Sequence, residues 1–160
     1  MLSVTILCVG KMREKHYIAA FAEYEKRLGA FCRFDLQEIP EQRLPDRPAP
    51  KEIESALERE AQEILRRIPK GAAVITMCVE GKSLSSPELA AYLERLQNAG
   101  TSHLCFIVGG SFGLSERVKA ASSLRLSMSA MTFPHHLARV MLMEQIYRSF
   151  TILNGSQYHK

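Results

Sequence analysis

The run LCFIVGGSFGLSERV, Leu104 to Val118, ends an apolar, β-forming stretch at Gly109 and Gly110. After Gly113 it restarts at a serine and charged residues that open a helix. Such a turn lets the backbone approach a ligand with no side chain in the way and accepts positive φ angles. A dinucleotide fingerprint would need G-x-G-x-x-G and an acid about 20 positions later. Here Val108 stands at the first glycine, and no acid occurs between Glu116 and Glu144. A P-loop needs a lysine in the turn, and none is present. GGSFG resembles a nucleophile elbow only loosely, and with no Asp after Asp46 a Ser-His-Asp triad has little to draw on. His135 and His136 are neighbours, about 100° apart on a helix, and do not form the i, i+4 pair that chelates one metal. Cys8, Cys32, Cys78 and Cys105 are scattered, without a CxxC, and three sit in apolar runs as small hydrophobes. No metal site is expected, and free thiols point to the cytoplasm.

The elements that position the turn follow from periodicity. Leu2 to Val9 and HLCFIV are continuously apolar, as strands covered on both faces are. AAVITMCV reads as a third buried strand, FCRFDLQEI as a half-exposed one, and Leu124 to Met128 as a short one. Glu14 to Leu28 carries Tyr17, Ile18, Phe21, Tyr24 and Leu28 on one helical face, with Gly29 closing it. Lys51 to Arg67 is a charged amphipathic helix. SSPELAAYLERLQNAG brings its own caps, with Pro87 in the first turn and Gly100 at the end. A short helix starts at Ser115, and FPHHLARVMLMEQIYRSF forms the last one, opened by Pro134. PEQRLPDRPAP, with four prolines, is a loop. Strand and helix alternate throughout, which predicts one α/β domain with a mostly parallel sheet and helices on both faces. Ligands of such sheets lie at the carboxyl ends of the strands. EGKSLSS, GGSFGLS and SAMTFPHH are the turns that gather there.

At 160 residues the chain suffices for one core, and 46% hydrophobic and 24% charged residues are ordinary for a globular protein. No apolar run approaches the roughly 18 residues of a membrane span. MLSVTILCVGK lacks a basic n-region and a small-residue cleavage site, and reads as a first strand. Net charge is +4, and all of the excess falls in residues 101–160, which hold six basic and two acidic residues. That segment invites a polyanion such as RNA, or is a mildly basic solvated face.

ITMCVEGKSLSS, FIVGGSFGLS, LSMSAMTFPHHLARVMLMEQIYRSF, the terminal YHK and the opening ILCVGKMREKHYIAAFAEYEKRL together resemble the bacterial ribosomal large-subunit methyltransferase H family, end to end. The resemblance implies a SPOUT-class α/β domain over 1–160 whose C-terminal segment threads a trefoil knot within about 104–155. It implies a homodimer that binds S-adenosylmethionine and methylates N3 of a pseudouridine in 23S rRNA of the assembled ribosome. The cofactor contacts it assigns are Met77, Gly109, Met128, Ser129, Ala130, Met131, Thr132 and Phe133. Arg148, Tyr158 and His159 are the candidates for handling the acceptor, with His135 a packing or capping residue. For Met77 and Met128 the residues alone favour core packing, and Tyr158 and His159 read equally as a frayed tail. The apolar-rich last helix fits a dimer interface or the chain's own core. Two rivals stand beside this reading: a SPOUT enzyme acting on tRNA or another rRNA base, and a ribosome-associated binding protein without transfer activity.

Overall fold

The computed structural model describes all 160 residues, and in it β1 (Ser3–Val9) is buried at every position from Val4 onward. A strand of that kind needs a neighbour at each edge and cover on each face. Its neighbours are β2 (Arg33–Ile39) and β4 (His103–Val108). β3 (Ala73–Ser83) lies beyond β4, and β5 (Leu124–Ser127) closes that edge. The order is β2-β1-β4-β3-β5. Every pair is parallel, where the patterning had predicted a mostly parallel sheet.

Successive side chains of a strand point to opposite faces, and the cover divides accordingly. Val4, Ile6, Leu104 and Phe106 pack under α1 (Lys15–Leu28), α3 (Ser86–Asn98) and α5 (His135–Leu153). Leu7, Val9, Cys105 and Ile107 pack under α2 (Pro50–Arg67) and α4 (Glu116–Ala120). Each such side chain contributes about 1.5–3 kcal/mol of burial free energy. The inner face of α5, with Leu142, Met143, Ile146 and Phe150, is taken up by the chain's own core between α1 and α3. No helix is long and apolar enough to cross a membrane.

Local signals set the helix ends. Ser85 and Glu88 form the reciprocal capping box of α3, and Gly100 follows its last turn at φ +99°. Ser115 caps α4 by accepting the Val118 N–H. Pro134 stands immediately before α5, which runs three residues past the predicted Phe150.

β3 departs most from its predicted span, continuing four residues past Val79 to Ser83. Its pairing with β5 jumps, so that Leu126 faces both Met77 and Lys82. The residues between form a bulge that the approach of β5 requires to contain a glycine. A Cβ on Gly81 would lie 2.7 Å from the Arg125 carbonyl oxygen.

Candidate functional site

A cleft of about 550 Å³ opens at the carboxyl ends of β3, β4 and β5. Met77, Cys78 and Val79 form one wall as β3 enters its bulge. Val108 and the glycine turn form the floor, and the loop from Met128 to His135 closes the far side. Seven of the eight cofactor contacts assigned from the sequence therefore converge: Met77, Gly109, Met128, Ser129, Met131, Thr132 and Phe133 all line it. Ala130 is exposed within the same loop and is not part of the lining.

The turn admits only glycine at its base. A Cβ on Gly109 would sit 2.6 Å from the carbonyl group of Gly113, and Gly113 itself has φ +77°. Gly110 and Gly113 bridge across the turn, with Gly113 N–H donating to Gly110 at 3.1 Å. The facing loop is held by two serines. The Ser127 hydroxyl lies 2.9 Å from the Val79 carbonyl and 3.0 Å from that of Ser129, and the Met131 N–H donates to Ser129 Oγ at 3.1 Å. The glycines thus bring main chain to the cleft with no side chain between, and the side chains around them are mostly apolar.

The charged groups of the site stand at its rim. Glu41, from the proline-rich loop after β2, accepts the Ser111 N–H at 3.2 Å. His135 lines the cleft from the first turn of α5, and burial, aided by the neighbouring His136, holds its pKa below the ordinary value. Burial also raises the pKa of the Cys78 thiol, so this side chain serves as an apolar wall and not as a nucleophile. Beneath the rim lies Arg139, 1% exposed, which donates to Glu38 at 2.7 Å and to the Gly10 carbonyl at 2.9 Å. Glu38 also accepts the Met12 N–H at 2.8 Å. His136, which had no assigned role, pairs with Glu14 at 3.0 Å. Together these bonds tie the start of α5 to the loop after β1.

Arg148, Tyr158 and His159 come together, but elsewhere. The Arg148 guanidinium lies 4.8 Å from the Tyr158 ring centre and bonds His159 Nδ1 at 3.0 Å and Glu144 at 2.6 Å. Tyr158 packs edge-on against Tyr147 at 4.9 Å. The tail is docked, not frayed. None of the three lines the cleft. A guanidinium has only donors, so His159 Nδ1 is the acceptor and the ring proton sits on Nε2.

The cleft also uses residues outside the eight assigned to the cofactor, among them Cys78, Val79, Gly110, Ser111, Gly113 and His135. Gly110, Ser111 and Gly113 were legible as members of the same turn. Cys78 and Val79 were not, because only the bulge turns both toward the cleft.

The basic excess of the C-terminal segment is also rearranged in space. Arg117 pairs with Glu58, Lys119 with Glu80 at 2.5 Å, and Arg139 with Glu38, all carboxylates of the N-terminal part. Arg125 lies 3.5 Å from Glu116, and Arg148 takes Glu144.

Comparison with known proteins agrees with this geometry. A probable methylase family protein from Haemophilus influenzae Rd KW20 superposes over 100% of this chain and 72% of its own, at a TM-score of 0.56 and 14% identity, which speaks to the fold alone. The family model described as predicted SPOUT methyltransferase matches residues 2–159. The protein, a five-stranded parallel α/β domain with its cleft at the strand ends, belongs to the SPOUT methyltransferase family.

Proposed function

We propose that this chain uses S-adenosylmethionine to methylate N3 of a pseudouridine in 23S rRNA on the assembled ribosome, acting as a cytoplasmic homodimer. The observation that carries the reading is the convergence of the seven assigned residues on one cleft of about 550 Å³. That is the size range of a site for one small ligand, apolar with a few fixed polar groups. Met77, Met131 and Phe133 offer an apolar slot for an adenine ring, and the two turns offer main-chain partners. When bound, S-adenosylmethionine supplies an already activated methyl group. The protein's own contribution is then alignment of the acceptor nitrogen and management of its proton.

Arg148 and His159 suit the second task. With its proton on Nε2, His159 presents an N–H to a carbonyl beside N3, where negative charge grows as that nitrogen loses its proton. Arg148, held in place by Glu144 and Tyr158, fixes the His159 ring through its Nδ1. Because none of the three residues lines its own chain's cleft, the reading has a second copy bring them to the acceptor. This supports the homodimer. The knot within about 104–155 belongs to the same reading.

The test is methyl incorporation from labelled S-adenosylmethionine into ribosomes from a strain lacking the gene, located by nuclease digestion and mass spectrometry. Label on a large-subunit pseudouridine is the expected result. Label on tRNA or another base would reassign the substrate. No label, despite cofactor binding, would make the chain a binding protein without transfer activity.

A further inference from the structure

Most C-terminal cations are neutralised by ion pairs, and the free cations at this end of the sheet, Lys82 apart, include five in the first third of the chain. Lys11, Arg13 and Lys15 follow β1, and Arg43 and Arg47 follow β2. All five are exposed, and none makes an ion pair. In a parallel sheet the loops after β1 and β2 emerge at the same edge as the cleft. Here they are also bonded to it. Glu41 holds the Ser111 N–H, Glu14 holds His136, and Arg139 holds the Gly10 carbonyl. The acids interleaved with the cations are therefore largely engaged, Asp46 excepted.

α1 begins with Lys15 and His16, with Glu14 as its N-cap and no acid in its first turn. The loop after β2 is stiffened by three prolines, Pro40, Pro45 and Pro48, and pinned where the Gln42 N–H donates to Glu60 at 3.0 Å. Arg43 and Arg47 are thus held ready on a restrained loop. Val79 and Met131 line the cleft and Phe112 stands in its glycine turn between Ser111 and Gly113, and these are three of the five large hydrophobic side chains exposed on the whole chain.

We propose that the loops after β1 and β2 form a track for the phosphates of a single RNA strand, with Phe112 as a platform on which a base stacks at the cleft mouth. A row of cations beside an exposed aromatic ring is the pairing that single-stranded nucleic acid recognises. An acidic protein surface has no use for the ring. The inference rests on the RNA-directed reading of the cleft and says how the strand enters it.

The experiment measures binding of unmethylated ribosomes, and of a labelled oligouridylate of about 12 nucleotides, as a function of salt. Lys11→Gln/Arg43→Gln/Arg47→Gln is expected to reduce the slope of log K against log salt by about 2 for the oligonucleotide. Phe112→Ala is expected to weaken binding about tenfold with the slope unchanged. Arg117→Gln/Arg125→Gln, which removes only paired cations, should leave both quantities as they were. Unchanged S-adenosylmethionine affinity in the triple variant shows that it is folded. Equal binding by wild type and the triple variant would overturn the track, as would equal losses in the triple and the control variants. No binding of either RNA by the wild type would overturn it too. A triple variant that loses oligonucleotide binding, beside a wild type that fails to methylate ribosomes, would keep the track and refute the proposed substrate.

Discussion

Main-chain amides, carbonyls and apolar side chains make up most of the cleft between β3, β4 and β5. The cluster at the C-terminus is instead a guanidinium, a carboxylate, a phenol and an imidazole packed on the outside of α5. The cleft owes its shape to positions where only glycine fits and where Ser127 and Ser129 fix a loop. The cluster owes its order to one arginine that touches all its other members. In the proposed function a ligand recognised by shape and a few backbone bonds belongs in the first region, and an acceptor whose proton must move belongs with the second. The two are separable within one chain, so cofactor binding and transfer are expected to fail independently.

The strongest way to break the first region alone is Gly109→Val. Its Cβ has no room against Gly113, so the turn must shift, and S-adenosylmethionine affinity is expected to fall by about 100-fold or more in a titration calorimeter. Normal binding by this variant would place the site elsewhere. For the second region, deletion of Tyr158 to Lys160 is expected to cut methyl transfer by about 100-fold, within the range that one acid–base or charge-stabilising group contributes. A loss of less than about fivefold would make the tail structural.

Glu38→Ala sharpens the comparison from a third direction, since it strands a buried guanidinium beneath the cleft. An uncompensated buried charge costs about 3–5 kcal/mol, to be read from the midpoint of urea unfolding. A cost under about 1 kcal/mol would show that Arg139 finds other partners.

The smallest expected effect is one of pH, and its sign follows from His135. Burial lowers its pKa in the folded chain, so between that value and the ordinary 6.5 the unfolded chain binds more protons. Stability is therefore unaffected well above 6.5 and declines as pH falls through that window. His135→Gln should flatten the decline. An unchanged slope would assign it to other groups.

Much of this was legible in the chain because it is local. GGSFG announces a strand-to-helix turn by its glycines alone, and Ser85 with Glu88 announces the start of α3. Apolar runs such as VTILCV and HLCFIV carry the parallel sheet, since only strands covered on both faces read that way. The residues assigned to the cofactor came from the family resemblance, and seven of the eight meet in the cleft. What stayed hidden was long-range. Nothing near Val79 predicts a bulge whose glycine is demanded by the Arg125 backbone, 44 positions later in the numbering. Counting charges along the chain put the basic excess in its last third. Arg117 and Glu58 are remote in sequence and paired in space, so a count along the chain overstated the free charge of that segment. His136 looked incidental until its contact with Glu14 made it a tie between two loops.

The separation of the two regions is tested most directly by calorimetric titration of S-adenosylmethionine into the full chain and into the chain lacking Tyr158 to Lys160. Both are expected to bind one molecule per chain, with dissociation constants within about threefold of each other, or under 1 kcal/mol. No binding by the full chain, or its loss when the tail is removed, would contradict a cleft that holds the cofactor on its own.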